Sequence, residues 1–287
     1  MTLPEWRVRH QSLRGMTPPT PLPSSATAKM LVALDVFCLL LVSIPTLLCE
    51  SGYVAPHFQG FFCDDNTIKY PRVSHYAIED SALITMDFLL SIFMISLGEM
   101  IRVRSLQLSS PALLNSTYMV MVYKHLGTFV FGGMASYSLA NIAKMTTGSL
   151  RPHFLAVCQP DPTSFKCESG YITNYSCTGH PADILNARKS FYSEHASFGM
   201  YCMVYLMLYV QARYWGQKTK LLRPTIQFLF LSLALLTGYI QTLDHWHHPY
   251  DMVFGFLLGA LMAFWVAFYI SGLSLYRAMP GPSSPGH

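Results

Sequence analysis

The chain has 287 residues, 52% of them hydrophobic and only 12% charged, with a formal net charge of +4. A soluble domain carries about 25% charged residues, so this composition points to a polytopic membrane protein. The basic residues are dispersed among membrane-flanking loops, which argues against nucleic-acid binding, and the chain has no Walker A loop, no G-x-G-x-x-G and no C-x-x-C.

Residues 1–28 read as a disordered arm. Its Thr17–Ser25 stretch holds Pro18, Pro19, Pro21 and Pro23, which remove backbone donors and fix φ. Six apolar spans follow, at about 30–49, 82–101, 121–143, 196–215, 222–243 and 250–273, each near the ~20 residues that cross a bilayer as a helix. The fold class expected is all-α: a six-span membrane domain over 29–273 and a short tail over 274–287. Cations gather on alternate connections: Arg7, Arg9, Arg14 and Lys29; then Arg102, Arg104 and Lys124; then Arg213, Lys218, Lys220 and Arg223; then Arg277. The positive-inside rule therefore places both termini in the cytoplasm and the first, third and fifth connections on the other side.

Cys63, Cys158, Cys167 and Cys177 fall in the first and third connections, where an oxidising compartment suits disulfides. A Cys158–Cys167 or a Cys167–Cys177 bridge fits, and spacing does not choose between pairings. Cys38, Cys49 and Cys202 lie in or near spans as packing residues. Asn174-Tyr175-Ser176 is an N-glycosylation acceptor on the non-cytoplasmic side; Asn115-Ser116-Thr117 has the same pattern on the cytoplasmic side and is expected to be unused. Asp35 and Asp87 lie inside spans, away from the other polar stretches, and read as interhelical hydrogen-bond partners. Tyr201, Tyr205, Tyr209 and Trp215 read as core or interfacial belt.

Three polar stretches then share the non-cytoplasmic face: Lys144 to Pro152, Ser190 to Phe198, and Asp244 to Asp251. Lys144 is a compact point charge and Arg151 a planar fork, a pair able to clamp a phosphate. Ser193 stands beside His195, and His247 has Asp251 four residues on. One imidazole can attack a phosphate while the other protonates the leaving oxygen. Taken singly, these groups have ordinary readings: basic residues snorkel at membrane edges, histidines sit at helix ends, and Asp251 favours a helix N-terminus. His245 and His248 read as rim residues, and a metal site is the minor reading of this histidine cluster.

At these stretches the chain resembles the lipid phosphate phosphatase family (type 2 phosphatidic acid phosphatases), from about Ala33 to Gly272. The resemblance extends to Gly60-Phe61-Phe62-Cys63-Asp64-Asp65, Ile68-Lys69-Tyr70-Pro71, Arg151-Pro152-His153-Phe154-Leu155 and Leu221-Leu222-Arg223-Pro224. It implies that Lys144, Arg151 and Ser193 hold the phosphate. His195 would be the general acid, His247 the nucleophile forming a phosphohistidine, and Asp251 the group orienting it. It implies no cofactor and no metal, a lipid phosphate substrate (phosphatidate, lysophosphatidate, ceramide 1-phosphate or sphingosine 1-phosphate), and an outward-facing site at the plasma membrane. A homo- or hetero-oligomer with relatives is left open.

The chain departs from the family pattern in two motifs. Glu194 replaces the glycine between serine and histidine, and Ile240-Gln241 replace the Ser-Arg that opens the third motif, so its third phosphate-binding cation is missing. An inward Glu194 would repel phosphate by up to ~4 kcal/mol at 4 Å and an effective dielectric near 20. It is tolerated if it faces solvent or pairs with a cation, and Arg188 or Lys189 would have to supply charge in place of the missing arginine. Two readings therefore stand: a working phosphohydrolase, or an impaired or inactive family member that binds lipid phosphates or partner proteins.

Overall fold

The computed structural model describes residues 25–72, 80–106, 117–167, 170–213 and 220–273. Most of each expected span is helical: α1 (Ser25–Glu50), α2 (Asp80–Leu106), α3 (Thr117–Thr147), α6 (Glu194–Arg213), α7 (Leu222–Leu243) and α8 (Pro249–Trp265), the last extended by a π turn at Val266–Ile270. Two short helices, α4 (Phe154–Cys158) and α5 (Pro181–Asn186), and two two-residue strands, β1 (Phe61–Phe62) and β2 (Tyr171–Ile172), lie in the connections. The strands pair antiparallel, Phe61 opposite Ile172.

Four helical stretches among the described residues are long and apolar enough to cross a membrane: Lys29–Glu50, Ala82–Arg104, Leu222–Leu243 and Pro249–Ile270. The protein is thus a helical, multi-pass membrane protein. Helix α6 is covered by its neighbours. Along α6 nearly every residue from His195 to Val210 is buried, so its tyrosines are paid back by hydrogen bonds across the bundle. Tyr201 donates to the Phe129 carbonyl (2.7 Å) and Tyr209 to Glu99 Oε1 (2.9 Å). These tyrosines are core residues; Trp215 lies outside the described residues. Asp35 accepts from Tyr123 Oη at 2.6 Å and so ties α1 to α3, as expected of an interhelical partner.

Two glycines let α8 lie directly on α6. An ideal Cβ at Gly259 would come within 2.1 Å of the Ser197 carbonyl oxygen, and one at Gly255 within 2.7 Å of that of Ser193. This is the small-xxx-small solution to helix packing in lipid. It sets the start of α8 against the start of α6, where the Ser193 N–H donates to the Asp251 carbonyl (3.2 Å). Gly259→Ala is therefore expected to lower thermal stability in detergent by an amount at or above the usual ~1–3 kcal/mol for overpacking. Gly127→Ala, where a Cβ meets nothing within 4 Å, is expected to be neutral or slightly stabilising. Paired melting curves of the two variants check this.

Residues 51–72, 148–167 and 170–192 build a small cap at one end of the bundle. Phe61, Ile68, Leu150, Phe154, Val157 and Ile172 form its core. Its disulfides are Cys63–Cys167 and Cys158–Cys177. Neither pairing suggested by sequence proximity forms, because β1 carries Cys63 to β2 across 104 residues of chain. Cys49 and Cys202 are buried and Cys38 is exposed. Asn174 is exposed on the cap; Asn115 lies outside the described residues. At the opposite end, a buried cluster gathers Glu99, His125 and Arg213, with Arg213 Nε 3.5 Å from Glu99 Oε1 and His125 hydrogen-bonded to Ser271 at 2.8 Å.

Candidate phosphate site

Helix α3 ends where Gly148 adopts φ +58° and returns its N–H to the Lys144 carbonyl at 3.1 Å. No other residue fits there: a Cβ would lie 1.8 Å from the His57 carbonyl oxygen. The turn leaves Lys144 on the last helical turn, 3% exposed, and sends Ser149 and Arg151 alongside the chain that leads into α6. Two backbone bonds fasten these strands, Arg151 N–H to the Ala187 carbonyl (2.9 Å) and Ser190 N–H to the Ser149 carbonyl (3.0 Å).

Arg151 is 5% exposed, with its guanidinium 4.4 Å from the Trp246 ring centroid. Its Nη2 reaches the Lys189 carbonyl at 3.5 Å. His153 donates from Nδ1 to the His245 carbonyl (2.9 Å) and meets Trp246 edge-on. The first and third polar stretches are thereby locked together.

Ser193 caps α6, its Oγ accepting from the Ala196 N–H at 3.3 Å. His195, in the first turn of that helix, is 9% exposed. His247 is 1% exposed. Its Nδ1 stands 3.7 Å from Asp251 Oδ2, longer than a hydrogen bond, because that oxygen already accepts from Ser190 Oγ (2.6 Å) and the His248 N–H (3.1 Å). Asp251 thus fixes the α8 N-terminus and stands behind His247, leaving Nε2 as the nitrogen turned away from the carboxylate.

Burial holds the His247 imidazole low, at about 4; Asp251 opposes this, while Arg151 and Lys144 add to it. The ring stays neutral at physiological pH, the state in which a lone pair is available. The sign of the linked stability follows. Between pH 6.5 and about 4 the unfolded chain takes a proton that folded His247 refuses, so stability falls as pH falls through that window. Relative to His247→Gln, the native protein is expected to lose melting temperature only below about pH 6.5; parallel pH–Tm curves for the two proteins down to pH 4 would contradict it.

All six expected site residues, Lys144, Arg151, Ser193, His195, His247 and Asp251, are brought to this end of the bundle. Glu194 points inward: its Oε2 lies 2.9 Å from Lys144 Nζ, with the glutamate side chain 13% and the lysine 4% exposed. The alternative of a solvent-facing Glu194 is excluded, and the pairing alternative holds. Gln241, 1% exposed, and Ile240 close the last turn of α7 at the positions of the missing Ser-Arg. Arg188 does not replace the lost cation. It is turned into the cap, bonding the Gln59 carbonyl (3.2 Å) and Tyr175 Oη (2.6 Å) over the Phe58 ring. His248 is not a rim residue either: it is buried as the cap of α8, stacked on Tyr250 at 5.0 Å. His245, at φ +55°, stacks on Tyr70 at 4.5 Å.

Ser190, Trp246 and His153 are the supporting residues that motif spacing does not mark; each acts through a contact made only in the folded chain. Among the described residues no group of three or more His, Cys, Asp or Glu converges as a metal site would require.

A membrane-embedded helical bundle with a buried Lys–Arg–Ser–His–His–Asp set at one end defines a PAP2-type protein, and residues 125–273 match the PAP2 superfamily. Within that superfamily the chain belongs to the lipid phosphate phosphatase family. It is 42% identical to phospholipid phosphatase 1 of Mus musculus over 243 residues, 84% of each chain. It is 43% identical to phospholipid phosphatase 2 of Mus musculus over 244 residues (84% of this chain, 86% of the relative) and to that of Homo sapiens over 249 residues (87% and 85%). No solved structure matches the chain significantly.

Proposed function

We propose that the protein is a lipid phosphate phosphohydrolase acting through a phosphohistidine. The observation that carries this reading is the buried convergence of His247, backed by Asp251, with Lys144, Arg151, Ser193 and His195. Lys144, Arg151, Ser193 Oγ and the α6 N–H groups hold the phosphate oxygens. His247 Nε2 attacks phosphorus, the bond to the lipid oxygen breaks, and His195 donates its proton to that oxygen. Water then attacks the phosphohistidine as His195 takes its proton, releasing phosphate and restoring His247. Approach of Asp251 by roughly 0.8 Å, to ordinary hydrogen-bond length, fixes the His247 tautomer in this sequence. The chemistry needs no metal.

In this reading the chain spans the membrane six times. The far end, with Arg102, Arg104, Lys124 and Arg223, is cytoplasmic together with arm 1–28 and tail 274–287; the cap, Asn174 and the site face outward. Phosphatidate, lysophosphatidate, ceramide 1-phosphate and sphingosine 1-phosphate at the outer leaflet of the plasma membrane are the substrate class. A second reading, a family member that binds lipid phosphates without turning them over, is favoured by the Glu194–Lys144 pair. Rapid acid-free quenching of the protein with ³²P-labelled phosphatidate decides between them. An acid-labile, base-stable label on the chain is expected; no label and no released phosphate would leave the binding reading.

A further inference from the structure

We infer that Glu194 makes this site select lipid phosphates that carry an ammonium group next to the phosphate. The inference rests on the phosphate-binding reading of the pocket and adds the class of headgroup it prefers.

The charge of the pocket comes first. Lys144 and Arg151 contribute +2 and Glu194 contributes −1, leaving +1. Asp251 is committed behind His247 by Ser190 and the His248 N–H and does not face the ligand in the same way. A simple phosphomonoester approaches as a dianion, so it meets one cation already neutralised and one carboxylate that repels it. A headgroup with an ammonium within roughly 4–6 Å of its phosphate carries one positive charge in the place where this site carries an extra negative one.

The arrangement of the pair supports the same partner. Glu194 is the less buried member, its side chain 13% exposed against 4% for Lys144, and its Oε2 is the oxygen turned to the ammonium. Lys144 has three donors and can keep Glu194 while bonding a phosphate oxygen. The carboxylate has acceptor capacity beyond its single contact with Lys144 and can take the ligand's ammonium. Glu194 also opens α6, so the backbone that carries its carboxylate is fixed by the helix and the Ser193 cap. A glycine at this position would leave the same backbone with no carboxylate to read the amine.

Matched lipids isolate the effect. Sphingosine 1-phosphate and its N-acetyl derivative share the phosphate and the chain and differ in the charge on nitrogen. Binding of each is measured in mixed micelles to full-length protein carrying His247→Ala, so that turnover plays no part, and then to the same protein with Glu194→Gln or Glu194→Asp. Phosphate release by the native protein is measured in parallel. Sphingosine 1-phosphate is expected to bind about tenfold to a hundredfold more tightly than the N-acetyl lipid, the usual strength of one charge-assisted hydrogen bond. Glu194→Gln is expected to bring the ratio close to one, and Glu194→Asp to retain part of it. A ratio near one in the presence of Glu194, a ratio unchanged in Glu194→Gln, or binding of neither lipid until Glu194 is replaced overturns the inference. If the preference is found but native protein releases no phosphate, the hydrolase reading fails and the selectivity stands. If phosphate is released from both lipids alike, the hydrolase reading stands and the selectivity fails.

Discussion

Replacing His247 with Ala is expected to lower phosphate release from phosphatidate by at least about 10⁴-fold, with bound lipid little changed. The size follows from the position of the group. His247 is the buried imidazole with a carboxylate behind one nitrogen, and removing a nucleophile from such a set leaves only the residual catalysis of the binding groups. His195→Ala is expected to spare formation of the phosphoenzyme when the lipid has a good leaving group and to slow it when the leaving group is an ordinary alcohol, because only the latter needs a proton. The two variants thus separate nucleophile from acid by leaving-group dependence. Equal loss for both kinds of leaving group in His195→Ala would assign His195 a binding role. Release unaffected by His247→Ala would remove the phosphohistidine from the mechanism.

The long helices were legible because lipid imposes a simple rule: a backbone crossing it must satisfy itself, and the apolar runs mark where. The least apolar of them, α6, has its polar side chains spent inside the bundle, and the pattern Tyr201, Tyr205, Tyr209 at four-residue spacing is the trace of that. Motif spacing brings the six expected site residues to one end of the bundle because each motif sits at a helix end, where local sequence fixes the geometry: Gly148 stops α3, Ser193 caps α6, and Asp251 completes the capping box of α8. What was not legible depends on contacts between distant parts of the chain. The pairing of Cys63 with Cys167 follows from the β1–β2 register. Arg188, close in sequence to the α6 motif, is held in the cap by Phe58, Gln59 and Tyr175 and so does not stand in for the missing cation. The direction of Glu194 was undecidable from sequence, since a helix-opening glutamate is favoured by the dipole whichever way its side chain turns. The buried Glu99–His125–Arg213 cluster joins three helices whose facing sides no single span reveals.

Restoring glycine at 194 and arginine at 241 together is expected to raise turnover of phosphatidate by about 10²–10³, the cost usually attached to one preorganised donor on a developing charge. The two changes should be more than additive. Glu194→Gly alone releases Lys144 from its 2.9 Å partner but leaves the pocket one cation short. Gln241→Arg alone adds a guanidinium at a position 1% exposed, where a buried charge is costly, while Lys144 stays paired with Glu194. Only the double variant presents Lys144, Arg151 and the new arginine to the phosphate. Its free form gathers three cations and lacks the Glu194 carboxylate, so it should melt lower than the native protein, and an anion bound among them should recover the difference. Melting curves with and without vanadate read that directly: a larger vanadate shift in the double variant than in either single one is the signature of a cation cluster awaiting phosphate. The same variant should lose the preference for ammonium-bearing lipids, because the carboxylate that reads the amine is gone. Turnover raised without a change in that preference would separate the two roles of Glu194; no rise at all would mean that the Lys144–Glu194 pair is not what limits the site.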